Sequence, residues 1–126
     1  MGLGERFRTK PKQESPRQEP QSIQSGLTGI DTNEDSKIFH LAGAIEVLTS
    51  EALEEQILSE INTNVILDIE HVNYVSSAGL RMFYNIKKFC DSQGLTFGII
   101  NVTEHIFGLF RMTGYATIMK LEKKEE

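Results

Sequence analysis

Two adjacent serines are the first candidates for chemistry in this sequence. Ser76 and Ser77 are followed by Ala78 and Gly79, and a helix-like apolar pattern begins there. A hydroxyl at a helix start can cap the helix, attack a substrate as a nucleophile, or accept a phosphoryl group. The free N–H groups of a helix N-terminus favour an anion, which suits phosphorylation. The residues alone leave the cap and the phosphorylation site as open alternatives.

The nucleophile alternative lacks its usual companions. A hydrolase elbow reads Gly-x-Ser-x-Gly, and Val75 occupies the first glycine position relative to Ser77. His40, His71 and His105 are isolated along the chain, and we expect each to be a surface or strand residue and not a catalytic base. Signatures of nucleotide hydrolysis, dinucleotide binding and zinc proteolysis are missing from the sequence. We therefore predict a protein that is not an enzyme.

Carboxylates near predicted strand ends are the remaining candidates. Glu46, Asp68 and Glu70 could gather at one edge of a sheet and hold a cation. Charges at strand ends are more often simply solvated. Cys90 is the single cysteine, which excludes an intramolecular disulfide and a multi-cysteine zinc site. We predict no metal and no cofactor.

The elements that must position these residues alternate between strand and helix. Amphipathic helices are predicted from Thr49 to about Ile61, from Ser77 to Gln93, and from Thr103 to Gly114, with the two threonines as N-caps. Strands are predicted at 27–31, 37–43, 65–69, 95–100 and 116–121, and the apolar run 65–69 is typical of a strand covered on both faces. Helical crossovers between strands predict an α/β fold with a mixed, largely parallel sheet of about four or five strands and three main helices.

Composition divides the chain into an extension and a domain. All 3 prolines lie in residues 1–20 among polar residues, so we predict a disordered extension over 1–24. That extension has 5 basic and 3 acidic residues, a charge of +2, whereas the remainder has 8 basic and 15 acidic residues, a charge of −7. The acidic domain, predicted over 25–122 with a charged tail at 123–126, lacks the basic surface that nucleic-acid binding requires.

Targeting signals are also missing from the sequence. It has no run of about 18 apolar residues that could span a membrane. Its first residues contain no apolar stretch of signal-peptide length. With a single cysteine as well, we expect a cytoplasmic protein that does not insert into a membrane.

Three segments, taken together, resemble the STAS domain family, named for sulfate transporters and anti-sigma factor antagonists. They are VILDIEHVNYVSSAGLRMF at 65–83, LAGAIE at 41–46 and LFRMTG at 109–114. The family pattern places Asp-Ser-Ser-Gly-Leu or Ser-Ser-Ala-Gly-Leu after a buried strand, at the opening of an amphipathic helix. The three segments occur in the family's order, and the resemblance extends over about residues 25–121.

The resemblance implies a STAS-like fold and a stand-alone anti-sigma factor antagonist that switches partners. It implies phosphorylation of Ser77, with Ser76 as the alternative because Ser76 stands where many members carry Asp. It implies two partners, an ATP-binding anti-sigma factor serine kinase and a serine phosphatase that resets the switch. The implied partner-binding residues are Glu46, Thr49, Ser76, Gly79, Leu80 and Arg81.

The resemblance also leaves a second function open. A STAS module can be a soluble subunit of a transport system or a scaffold in a signalling complex, and the fold alone does not choose between these functions. The oligomeric state stays open as well.

Overall fold

A five-stranded sheet and three α-helices dominate residues 25–125, the part of the chain that the computed structural model describes. The strands are β1 Gly26–Thr32, β2 Ser36–Ile45, β3 Asn64–Val75, β4 Phe97–Val102 and β5 Lys120–Lys123. The helices are α1 Ser50–Leu58, α2 Ser77–Ser92 and α3 Glu104–Met112, and a short 3-10 helix covers Tyr115–Thr117. The extension predicted for 1–24 lies outside the described residues.

The strands lie in the sheet in the order in which they occur along the chain. β1 is antiparallel to β2, and β3, β4 and β5 follow as parallel neighbours. Successive right-handed crossovers in one direction bring all three helices to the same face of the sheet. The predicted α/β fold, with a mixed and largely parallel sheet and three helices, is therefore confirmed.

Side chains of the central strand β3 alternate between two different environments. Val65, Leu67 and Ile69 are buried beneath the helices, whereas Ile66 and Asp68 are partly exposed. The prediction that this strand is covered on both faces is wrong, because helices cover only one face. We call the other side of the sheet the open face.

Aromatic side chains join the sheet to its helices. Phe39 of β2, Phe83 of α2 and Phe110 of α3 are fully buried, and the ring centroids of Phe83 and Phe110 lie 5.6 Å apart. Truncation of a buried phenylalanine to alanine typically destabilises a protein by about 3–5 kcal/mol. This contact therefore helps to hold α2 and α3 against each other.

The bounds of α1 and β5 differ from the predicted ones. α1 ends at Leu58 and not near Ile61, because the chain tightens there and the Glu60 N–H donates to the Ile57 carbonyl at 2.9 Å. β5 covers Lys120–Lys123 and not 116–121, because the 3-10 helix occupies residues 115–117 first. β5 therefore takes in Lys123, which the sequence assigns to the charged tail.

Candidate functional site

The ends of β2 and β3 form the edge of the sheet at which the two serines lie. β3 continues through residues 70–75, which the sequence predicts as a turn, and Val75 pairs with Ile45 at the end of β2. Register shifts within this pair of strands accommodate the extra residues of β3. The longer strand therefore delivers Ser76 directly beside Ile45.

Ser76 is the N-cap of α2. Its hydroxyl accepts from the Gly79 N–H at 3.4 Å, and its own N–H donates to the Ile45 carbonyl at 3.0 Å. The first bond satisfies an N–H group that the helix leaves unpaired, and the second ties the helix start to β2. The structure thus uses the Ser76 hydroxyl for capping.

Gly79 allows α2 to approach β2 closely. A Cβ atom at this position would overlap the carbonyl oxygen of Ile45 and would lie 2.9 Å from Val75 Cγ1. Glycine is therefore required here for packing and not for an unusual backbone conformation. Gly79 and the following Leu80 are both buried, so the structure places these two predicted partner-binding residues beneath the surface.

Ser77 is exposed at the first position of α2 and opens onto a groove between α1 and α2. The groove has a volume of 540 Å³ and is lined by Val47, Glu51, Glu54 and Glu55 on one side and by Ser77, Arg81 and Asn85 on the other. The first turn of α2 contains no acidic residue, in contrast to α1 with Glu51 and α3 with Glu104. The first turn of α2 therefore places no carboxylate beside the positive end of the helix dipole.

The loop between β2 and α1 is held by its own polar groups. The Thr49 hydroxyl donates to the Ala44 carbonyl at 2.9 Å and accepts from the Glu46 N–H at 3.1 Å. The Glu46 carboxylate accepts from the Leu48 N–H at 3.0 Å. Glu46 directly follows Ile45, so the loop begins next to Ser76.

Both threonines predicted as capping residues occupy N-cap positions, but neither side chain makes a capping bond. For Thr49 the reason is that its hydroxyl is already engaged within the loop. The predicted N-cap positions at Thr49 and Thr103 are therefore confirmed, but the side-chain capping bond that such a residue usually makes is absent at both.

Sequence reasoning missed an exposed apolar pair in the same loop. Val47 is 73 % exposed and Leu48 is 87 % exposed, and Val47 lines the groove beside Ser77. Exposed neighbouring apolar side chains are typical of surfaces that bind other proteins. The sequence did contain a signal for this exposure. Val47 and Leu48 are apolar, but they precede Thr49 and therefore lie outside the apolar spacing of the helix.

His40 lies in β2, as expected for a strand residue, but it is not isolated in the folded protein. On the open face its Nδ1 lies 2.8 Å from Asp68 Oδ2, and its Nε2 lies 2.8 Å from Asp31 Oδ2. Asp68 also accepts from the Asn101 side chain at 2.9 Å. Asp68 is therefore part of a polar network on the open face. Within residues 25–125, no group of three or more His, Cys, Asp or Glu side chains is arranged to hold a metal ion.

None of the helices in residues 25–125 is both long enough and apolar enough to cross a membrane.

The fold and the site together define a class of protein: a small α/β module that presents a serine at a helix start beside an acidic groove and an apolar loop. Residues 29–126 match the STAS domain. The chain belongs to the STAS domain family.

Known proteins that are similar to this chain include regulators and also show how widely the fold is used. The anti-sigma-B factor antagonist of Bacillus subtilis (strain 168) is 28 % identical over 99 residues, covering 77 % of this chain and 91 % of that protein. An anti-sigma factor antagonist from Mycobacterium paratuberculosis has a similar structure, with a TM-score of 0.66, 18 % identity, and coverage of 80 % of this chain and 89 % of its own.

A sulfate transporter family protein from Wolinella succinogenes is similar to about the same degree. Its TM-score is 0.64 at 14 % identity, and the likeness covers 73 % of this chain and 80 % of that one. Both structural likenesses concern the fold alone, and a shared fold does not determine function.

Proposed function

We propose that this protein is an anti-sigma factor antagonist that binds an ATP-dependent anti-sigma factor kinase and is released when Ser77 is phosphorylated. The observation that carries the proposal is the exposed Ser77 at the start of α2 beside the groove. The relative from Bacillus subtilis named an anti-sigma-B factor antagonist, which aligns over 77 % of this chain, supports the regulatory class.

The two serines differ in ways that favour Ser77 as the phosphorylation site. The Ser76 hydroxyl is engaged with the Gly79 N–H and is partly buried. Phosphorylation of Ser76 would replace a capping bond that is typically worth about 1 kcal/mol. Ser77 is exposed, so a kinase can reach its hydroxyl without first opening the helix start.

The partner-binding surface that we propose combines the apolar loop with the head of the groove. Val47 and Leu48 supply exposed apolar area, and Arg81 lies on the groove one helical turn after Ser77. Glu46 and Thr49 keep the loop in shape through their hydrogen bonds. Gly79 and Leu80 act from beneath by setting the position of the helix start.

Phosphorylation would change the charge of this surface strongly. The groove lining contains Glu51, Glu54 and Glu55 against Arg81, which is a formal charge of −2. A phosphate adds about −1.5 to −2 charges and three acceptor oxygens. A kinase surface shaped for the neutral serine would then face about twice the negative charge and a bulkier group. A docking penalty of about 2–4 kcal/mol corresponds to a loss of about 30- to 1,000-fold in affinity.

The helix start would tolerate the modification with little refolding. The N–H groups and dipole of α2 favour an anion at Ser77. A serine phosphatase would then restore the unmodified surface. The switch therefore works through charge and shape at one place and needs no second conformation of the domain.

The test compares wild type with Ser77→Ala, Ser77→Asp and Ser76→Ala. Each protein is incubated with its captured kinase and ATP, and phosphate incorporation is read from intact mass and peptide mapping. We expect wild type and Ser76→Ala to be phosphorylated and Ser77→Ala to remain unmodified. Continued phosphorylation of Ser77→Ala would move the site to Ser76 or dismiss the proposal.

Binding partners distinguish this function from the transport or scaffold function. Proteins recovered from the native host with wild type, Ser77→Ala and Ser77→Asp are identified by mass spectrometry. An ATP-binding anti-sigma factor retained by the first two and lost with Ser77→Asp supports the proposal. Transporter subunits retained equally by all three variants would instead identify a subunit of a transport system.

A further inference from the structure

We propose that His40 is a charged clasp that ties the edge strand β1 to the sheet, and that β1 loosens when the imidazolium loses a proton. The clasp consists of Asp31 on β1, His40 on β2 and Asp68 on β3. The clasp lies on the open face of the sheet, opposite the helices, and does not require phosphorylation of Ser77.

The geometry of the clasp requires a positively charged ring. Both ring nitrogens of His40 lie 2.8 Å from a carboxylate oxygen, and ionised carboxylates only accept hydrogen bonds. A neutral imidazole has one N–H, so the second nitrogen would direct a lone pair at the other carboxylate. Only the imidazolium donates to both aspartates at once.

The charged groups around His40 come from both neighbouring strands. On β1 the group is Asp31, whose side chain is 70 % exposed. On β3 the groups are Asp68, whose side chain is 13 % exposed, and Glu70, which pairs with Lys124 at 3.4 Å. The helices lie on the other face of the sheet, and the charged groups that shift the pKa of His40 are the two carboxylates Asp31 and Asp68.

The hydrogen bond to Asp31 raises the pKa of His40, burial opposes this rise, and Asp68 adds to it. The net direction is upward from the ordinary value of about 6.5. A group with a raised pKa in the folded state contributes stability that is complete below about pH 6.5. That contribution is lost as the pH rises through the folded value.

The two arms of the clasp are not equally strong. Asp68 also accepts from the Asn101 side chain at 2.9 Å and from the Glu70 N–H at 3.1 Å, so its position does not depend on His40 alone. Asp31 is exposed and lies on the edge strand. When the ring becomes neutral, its remaining N–H therefore stays with Asp68, and the contact with Asp31 opens.

β1 connects the clasp to the loop beside Ser77. Just before β1, the Ser25 hydroxyl accepts from the Ala44 N–H at 3.2 Å. Leu27 at the start of β1 and Leu48 and Thr49 of the loop line a common depression. Loosening of β1 would therefore also loosen the loop that contains Val47 and Leu48. In this way the protonation of His40 makes the order of the loop depend on pH.

The test follows His40 and β1 by NMR in the full chain between pH 5.5 and 9. Nitrogen-15 shifts report the protonation of each ring nitrogen, and His40→Gln assigns the signal. We expect His40 to titrate above pH 6.5. We also expect amide exchange of residues 27–31, corrected for its intrinsic pH dependence, to lose about two- to fivefold in protection across that titration.

Matched variants separate the clasp from general effects of pH. In His40→Gln and Asp31→Asn the pH-dependent loss of β1 protection should disappear. It should remain in His71→Gln, which changes an exposed histidine three residues after Asp68 in β3. A His40 midpoint at or below 6.5 in wild type would overturn the proposal even if a variant failed to fold. The same pH dependence in His40→Gln as in wild type would also overturn it.

Discussion

Replacing Gly79 with alanine tests the close approach that positions the two serines. The added Cβ would overlap the Ile45 carbonyl oxygen and would lie 2.9 Å from Val75 Cγ1. Since the nearest atom belongs to the backbone and not to a flexible side chain, the helix start itself must move. We expect α2 to shift away from β2 and to weaken the bond between the Ser76 N–H and the Ile45 carbonyl.

The expected size of the effect follows from two opposing contributions. Overpacking in a well-packed region costs about 1–3 kcal/mol, and contact with backbone places this site near the upper end. Alanine is about 1 kcal/mol more favourable than glycine inside a helix. The net expectation for Gly79→Ala is a loss of about 2 kcal/mol in the free energy of unfolding.

Gly108→Ala is the matched control in the same chain. Gly108 lies within α3, and apart from its chain neighbours and the backbone of its own helix, no heavy atom lies within 4 Å of a Cβ placed there. In this variant only the higher helix propensity of alanine takes effect. Its free energy of unfolding should therefore rise by about 1 kcal/mol. The two identical substitutions should therefore differ by about 3 kcal/mol and have opposite signs.

Thermal and urea unfolding followed by circular dichroism measure both variants. For a domain of this size, about 1 kcal/mol shifts the Tm by about 4–8 °C. We expect Gly79→Ala to melt well below wild type and Gly108→Ala to melt above it. Equal stabilisation by both substitutions would show that α2 does not approach β2 as closely as described, and the positioning of Ser76 and Ser77 would then need another cause.

Three further predictions concern single side chains. Burial raises the pKa of Cys90 to about 11. Iodoacetamide at pH 8 should therefore label Cys90 in urea and not in the folded protein, and rapid labelling of the folded protein would contradict this. Asn101 has a φ of 59° and donates to Asp68, so Asn101→Gly should lose about 1 kcal/mol in urea unfolding and Asn101→Ala about 1 kcal/mol more. Burial acts to raise the pKa of Asp68, but the hydrogen bond from Asn101 and the other donors outweigh it and hold the pKa below its ordinary value. Asp68 therefore contributes stability above about pH 4 that is lost in acid, and the deficit of Asp68→Asn in urea unfolding should shrink, not grow, as the pH falls.

The sequence predicts the elements well where local patterns decide them. The α2 helix is predicted from Ser77 to Gln93 and is found at Ser77–Ser92, because its apolar spacing and the following glycine act locally. The strand pattern at 65–69 is also correct, but it does not show where β3 ends. That end depends on pairing with β2 across register shifts, and a local pattern carries no information on pairing.

The parts of the site that escaped prediction depend on contacts between distant residues. Thr49 satisfies the local rule for an N-cap, yet its hydroxyl oxygen accepts from the Glu46 N–H of the loop and not from an N–H of the helix. His40 looks isolated because its partners are 9 and 28 residues away and meet it only when three strands align. Residue types indicate which chemistry is possible, but the register of the sheet determines which side chains come into contact.

Ser76 and Ser77 show how one helix start can combine rigidity with a modifiable group. Ser76 satisfies the Gly79 N–H and fixes α2 to β2 through its own N–H, so the helix start is held whether or not its neighbour is modified. Ser77 adds no capping bond of its own and is exposed, and the first turn that follows contains no carboxylate that would repel an anion. If a single serine stood here, phosphorylation would modify the same hydroxyl that caps the helix. The pair separates these two uses, which is why the proposed switch can change the charge of a surface without unfolding the element that presents it.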